Sequence, residues 1–294
     1  MLEGRPAGVV YDLGYRPHEG ERLGRAGAVR ALFRDGLRRV LGLRRRARAK
    51  AIPWSLLGIA VIPAIFFIGI AVFTSEIGVE DVDFFSHAQY FDLTGTIAML
   101  FIAAAAGELL VPDRVHGVLQ VYASRPLTTG DYLTGRAATL GVVVFGFMYF
   151  PHLVLFFGRA WTSDDGFGSF VAANAGVLWQ AALASLGYFV ALAPLAFLFA
   201  AYSKRLTLGA GAFIGVMAMS TPVANALVEV GFDPAGLLAL QQHPVVVKDW
   251  ILGVRSAHLV PQQAGFDPWV SLAAIVVIAL VAGVMVVRRY RRAG

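Results

Sequence analysis

Residues Trp269–Val287 read WVSLAAIVVIALVAGVMVV, nineteen positions without a charge, closed by Arg288-Arg289-Tyr290-Arg291-Arg292. A membrane-crossing helix needs roughly 20 such residues, and a basic cluster at its end stops it at a headgroup layer. One run of this kind could equally be a buried helix of a soluble protein. Five more precede it, however: Ala51–Phe73, Leu93–Val111, Ala137–Phe157, Gly176–Ala201 and Leu206–Val228, with polar gaps between. The fourth and fifth are separated only by Tyr202-Ser203-Lys204-Arg205, a tight turn between antiparallel helices. The expected fold is all-α and integral to a membrane, with six transmembrane helices.

Composition agrees. Of the 294 residues 57% are hydrophobic and 15% charged, whereas about a quarter of a soluble chain is charged. A chain this apolar is not disordered either. Cysteine is absent, which removes disulfides, thiolate metal sites and cysteine nucleophiles. Residues 1–50 hold 13 of the 25 basic residues, while the loop between Thr74 and Asp92 has none and carries Glu76, Glu80, Asp81, Asp83 and Asp92. With six spans, alternate segments hold 22 basic residues on one side and 3 on the other. The side rich in Lys and Arg is the cytoplasmic one, so both termini are expected inside. The segment 1–50 is then a cytoplasmic N-terminal region and 51–294 the membrane domain. Residues 1–50 lack the apolar core of a cleavable signal. Arginine outnumbers lysine 22 to 3, as GC-rich coding sequences favour, which points to a multi-pass protein of a prokaryotic cytoplasmic membrane. No internal repeat is evident, so the inverted halves of many secondary transporters are not expected.

Within the N-terminal region, Ala28–Ala49 reads as an amphipathic helix. Val29, Leu32, Phe33, Leu37, Val40 and Leu41 recur at helical spacing, and Arg30, Arg34, Arg38 and Arg39 take the other face. A basic face opposite an apolar stripe suits a helix lying in the headgroup layer. A solvated basic arm or a nucleic-acid patch is the alternative. Juxtaposition to the first span, which sets Arg44-Arg45-Arg46 at anionic lipid, favours membrane lipid as partner and no nucleic acid. Upstream, Tyr11, Tyr15 and Arg16 lie in a Gly/Pro-punctuated stretch that cannot form a long helix. It is a loose tail or a docking loop; its residue types are those that anchor interfaces.

Pro112–Arg136 is the most distinctive segment. Asp113 is placed to cap a short helix whose Val115, Val118, Leu119 and Tyr122 form one apolar face, and Pro126 ends it. Thr128 with Asp131 forms a capping box for the next helix, with Leu127 and Tyr132 as its hydrophobic staple. The product is a short amphipathic helix slung between the second and third spans.

The residues Gly107-Glu108-Leu109-Leu110-Val111-Pro112-Asp113-Arg114-Val115-His116-Gly117-Val118-Leu119, then Ser124-Arg125-Pro126-Leu127, then Asp131-Tyr132-Leu133-Thr134-Gly135-Arg136 resemble the intracellular signature of ABC-2 type permeases. That signature has an acidic residue four before Gly-Thr-Leu, then Arg-Pro, then Tyr-Leu-x-Gly-Lys. Asp113, Gly117, Leu119, Arg125, Pro126, Tyr132, Leu133 and Gly135 match; Val118 stands for the threonine and Arg136 for the lysine, keeping the charge but changing its hydrogen bonding. The resemblance implies the transmembrane subunit of an ATP-binding cassette exporter. Its short helix would couple to a separate ATPase subunit, which would hold ATP and Mg, and it would pair with a second permease subunit, identical or homologous. Coupling would then involve Asp113, Arg114, Val115, His116, Gly117, Val118, Leu119, Tyr122, Arg125, Pro126, Asp131, Tyr132, Gly135 and Arg136. The same resemblance favours export over import.

This chain cannot itself use a phosphate-cradling G-x-x-x-x-G-K-[ST] loop, since Lys50, Lys204 and Lys248 are its only lysines and none follows glycine. Zinc-protease and nucleophile-elbow motifs are absent as well. No catalytic or metal-ligating residue is therefore expected. Glu108, His152 and Glu229 are intramembrane polar candidates by default. The first and last can reach the interface, and His152 can pack beside Pro151. Gly211 and Gly215 have the spacing for close helix packing. An integral-membrane enzyme using Glu108 or His152, or a scaffold without transport, is the competing reading. The outer segment 231–268 is too apolar for a simple loop: it is either a short re-entrant or surface helix, as in related permeases, or a cap packed on its neighbours.

Overall fold

Small residues decide which helix sits in the middle. The stretch Thr94–Gly107 is dominated by alanine, glycine and threonine, and a helix lined by small side chains lets neighbours approach from every side. In the computed structural model, which describes residues 23–43, 47–76, 86–124, 126–254 and 258–292, that helix is the centre. Tyr11, Tyr15, Arg16, Arg44-Arg45-Arg46, Glu80, Asp81, Asp83 and Arg125 lie outside the described residues.

Among the described residues the chain is helical throughout: α1 (Gly24–Val40), α2 (Ala47–Glu76), α3 (His87–Val115), α4 (Val118–Ala123), α5 (Thr129–Trp161), α6 (Phe167–Asn174), α7 (Gly176–Tyr202), α8 (Leu206–Glu229), a 3-10 turn (Asp233–Leu238), α9 (His243–Leu252), α10 (Val260–Gln263) and α11 (Pro268–Arg291). Six of these, α2, α3, α5, α7, α8 and α11, are long and apolar enough to cross a membrane, the make-up of a multi-pass membrane protein. The apolar stretch of α3 is 78% buried, against 17% for α2 and 22% for α8 and α11. Around α3 pack α5, α7 and α8, with α2 and α9 alongside.

The helices outrun the apolar stretches at both ends. Ser86 accepts from the Gln89 amide at 3.3 Å while the Gln89 side chain accepts from the Ser86 amide at 3.1 Å, a capping box that starts α3 well before Leu93. The box expected at Thr128 and Asp131 is present and starts α5.

Two expected boundaries are corrected. The amphipathic helix ends at Val40 rather than reaching Ala49. Gly42 adopts φ +63°, Gly42 N–H donates to Arg39 O and Leu43 N–H to Arg38 O at 3.1 and 2.8 Å, the glycine-terminated stop that only a left-handed residue allows. Asp113, second, caps nothing: α3 continues through Pro112 to Val115, and the break falls at Gly117, whose φ of +69° a side chain disfavours. The glycines at 211 and 215 do not serve packing within the chain; both are exposed and a Cβ on either would meet open space.

The segment 231–268, where described, packs on the bundle. Helix α9 lies against α3, α7 and α11, with Val246, Val247, Lys248 and Asp249 buried. Val246, 1% exposed, faces protein and not lipid. Gln180 Nε2 donates to Ile251 O at 2.9 Å, tying α9 to α7. His243, also buried, bridges the 3-10 turn and α11: its Nε2 lies 3.0 Å from Leu237 O and its Nδ1 3.0 Å from Ser271 Oγ. The carbonyl can only accept, so Nε2 carries the proton and Nδ1 accepts from the serine. Burial holds the His243 imidazole below its ordinary value. A depressed folded-state value means that the unfolded chain binds the extra proton more readily as pH falls. His243 therefore contributes stability that is present above about pH 6.5 and lost as pH falls below it. The melting temperature should decline on acidification through that window, and His243→Gln should flatten the decline; an unchanged profile in the variant would assign it to other groups.

Candidate functional site at the basic end

The site is assembled where α3 ends, α5 begins and α1 crosses both. Asp113, 1% exposed, is its centre. Its Oδ2 accepts from Arg136 Nη2 at 2.5 Å and from the Tyr132 hydroxyl at 3.0 Å, and its Oδ1 from Arg39 Nη1 at 2.7 Å. Asp35 joins from α1, 2.9 Å from Arg39 Nε and 3.2 Å from Arg136 Nη1. Two carboxylates and two guanidiniums thus link three helices. Arg136 is fully buried, which a guanidinium tolerates only among such partners.

Helix α1 is held to α5 by more than charge. Leu32 packs over Gly135 and Gly36 over Thr139, where an added Cβ at Gly36 would come within 2.6 Å of the threonine hydroxyl. Arg25 grips Asp131 with two bonds, 2.9 and 2.8 Å. The apolar stripe foreseen for lipid is therefore partly turned inward: Leu32, Gly36 and Val40 are buried against the chain. Arg39, placed by periodicity on the basic face opposite the apolar stripe, points to Asp113.

Helix α4 rests on this platform. Tyr122 lies against Tyr132, with centroids 5.7 Å apart, and Tyr132 stacks on Tyr290 of α11 at 5.6 Å. Burial, then the nearby Asp113 carboxylate, pushes the Tyr122 hydroxyl above its ordinary value. Tyr290 donates to Leu110 O at 3.1 Å. Arg114 bonds Ala200 O at 3.3 Å and also Ser203 O, fastening the α7–α8 turn. The result is one end of the bundle where α1, α4, the Lys204-Arg205 turn and the last turn of α11 meet.

The expected coupling residues separate into two sets. Asp113, Tyr132, Gly135 and Arg136 are buried within the chain; Asp131 is engaged with Arg25. Of the apolar face, Leu119 and Tyr122 pack inward while Val118 is half-buried. What α4 and its approach expose is a different edge: Val115, His116, Gly117, Gln120, Val121 and Ser124, with Pro126 beyond. A recess of about 530 Å³ adjoins it, with the charged Asp35, Arg38, Arg39 and Asp113 beside His116 and the apolar Leu43, Pro112 and Val118.

The three polar candidates are not brought together. Glu108 is half-buried one turn before Asp113 and borders a recess with Arg39, Leu206 and Thr207. His152 is buried near the other end, stacked 3.7 Å from Phe91 and with its Nδ1 3.2 Å from His87 Nδ1. Glu229 is exposed and accepts from Asn225 at 2.7 Å.

Sequence reasoning missed Asp35, Arg39, Arg25 and Tyr290. Asp35 had a signal: it is the only acidic residue between Arg22 and Ser75, and a lone carboxylate among so many arginines marks a specific pairing. No known protein family matches the chain, and no curated protein matches it significantly.

Proposed function

We propose that the chain is the membrane-spanning permease subunit of an ATP-driven transporter of the ABC-2 type, working as an exporter in a prokaryotic cytoplasmic membrane. The observation that carries this reading is α4: a six-residue helix with an exposed edge, propped by buried charges on the end where the basic residues gather. That end is the cytoplasmic one, by the excess of arginine. A separate ATPase, holding ATP and Mg, docks on the exposed edge of α4, and its closure tilts the platform formed by α1, α3 and α5. Asp113, Tyr132 and Arg136 do not contact the ATPase; they make α4 move with the membrane helices. A second permease subunit completes the translocation path, and the open α8 face with Gly211 and Gly215 offers it a close approach.

The test separates the exposed edge from the buried one. Val121, 55% exposed, can take a charge without disturbing the fold. Placing glutamate at the centre of a small interface costs about 2 kcal/mol, roughly 30-fold in affinity. Val121→Glu should insert normally and lose co-purification with the partner ATPase. Leu119→Glu, by contrast, should lower thermal stability as well, because Leu119 packs on the chain's own core. Normal ATPase binding and transport by Val121→Glu would remove the coupling role from α4.

Sidedness is tested apart from coupling. Cysteines at Ser124 and Lys204, both exposed, should react with an impermeant thiol reagent only after permeabilisation. Those at Asp164 and Gln263 should react in intact cells. Labelling of Ser124 from outside would invert the topology.

A further inference from the structure

The stripe Arg30, Arg34, Leu37, Leu41 runs along one face of α1 into Leu41, its C-cap, at i, i+4, i+7 and i+11. Both arginines are exposed, and among the described residues neither makes an ion pair. Beyond them Leu37 and Leu41 open onto an apolar recess of about 270 Å³, walled by Trp54 of α2, Phe101 of α3, and Phe147 and Phe150 of α5. Its mouth is open sideways: Trp54 and Phe150 are each 50% exposed. Trp54 is fixed there by an indole N–H donated to Leu41 O at 3.2 Å.

Depth along α5 orders these features. Leu32 faces Gly135 and Gly36 faces Thr139, while the recess spans Val142 to Phe150. At 1.5 Å per residue the recess therefore begins about 10 Å past the Leu32 contact and extends about 12 Å further. Arginines at the level of the α5 start, with an apolar slot running on toward the middle of the crossing helices, match the layering of a lipid: phosphate at the surface, acyl chain below.

We propose that this recess is a binding site for one anionic phospholipid, its phosphate on Arg30 and Arg34 and one acyl chain between α1, α2 and α5. A second copy of the chain is a poorer occupant. A two-fold contact here would bring Arg30 and Arg34 of both copies together, like charge against like. The site stands on α1 and on the membrane-spanning α2, α3 and α5, whether or not the chain is a permease.

The experiment uses the full chain reconstituted in phosphatidylcholine vesicles with a minority of phosphatidylglycerol. Trp54 is left as the only tryptophan by Trp161→Phe, Trp179→Phe, Trp250→Phe and Trp269→Phe. Acyl-chain-brominated phosphatidylglycerol should quench Trp54 as though enriched about five-fold per engaged arginine over its mole fraction; brominated phosphatidylcholine should not. Arg30→Gln with Arg34→Gln should return quenching to the mole fraction. Gly146, where a Cβ meets open space, allows the recess to be filled without a clash, and Gly146→Leu should cut quenching by phosphatidylglycerol while leaving thermal stability unchanged. Equal quenching by the two lipids, an unaltered preference in the arginine variant, or no quenching by either, as a protein-covered recess would give, each overturns the proposal.

Discussion

Asp113→Leu is expected to lower stability by about 3–5 kcal/mol, the cost of leaving a buried charge without its partner. The stranded charge is Arg136, fully buried and 2.5 Å from the lost carboxylate. Asp35 remains near it at 3.2 Å, but its side chain is 44% exposed and its pull is screened by water. Arg39 and Tyr132 lose an acceptor in the same step. Asp113→Asn, which keeps a carbonyl acceptor but no charge, should fall between parent and leucine variant. Pairing Asp113→Leu with Arg136→Met should recover much of the loss, because replacing both members of a buried pair by apolar groups is often near neutral. Thermal unfolding of the purified chain, read as a double-mutant cycle, measures the coupling. Full parental stability in Asp113→Leu would show that the cluster does not brace the platform.

Lys248→Met is the second large effect, at the opposite end. The Lys248 ammonium, 1% exposed, lies 2.6 Å from Asp249 and 2.7 Å from Asp92 and donates to Ala88 O at 3.0 Å. It pins α9 to the first turns of α3. Its removal leaves the Asp249 carboxylate, 4% exposed, without the lysine charge, a loss of about 3 kcal/mol, the lower end for a broken buried pair because Asp92 is half in water. The damage should be local. Amide exchange in His243–Leu252 should accelerate far more than in α5, and Lys248→Arg should not rescue it, since the planar fork does not fit a site made for a compact ammonium. Exchange accelerating equally throughout would mean that α9 is not a separate cap.

The six spans, the Thr128 capping box and the gathering of basic residues in particular segments were all legible in the sequence, because each depends on local runs: apolar length, cap chemistry three residues apart, and charge counts between spans. The motif from Asp113 to Arg136 was legible as a pattern, and three of its residues, Asp113, Tyr132 and Arg136, meet in space. Their tasks were not. Local reading made Asp113 a cap and put Arg39 on a basic face toward the headgroups, because a helical wheel knows which residues share a face, but not what lies opposite that face. Only when α1 lies across α3 and α5 do Arg39, Asp113 and Arg136 meet, from 74 and 23 positions apart. The same holds for α4: its apolar positions follow from the sequence, yet whether they serve a partner or the chain's own Tyr132 and Tyr290 is decided by packing. In the outer segment, an apolar loop fits both lipid and a protein groove, since burial in either removes the same surface from water. Tertiary structure chose the groove because Lys248 finds its carboxylates there, which hydrocarbon could not supply.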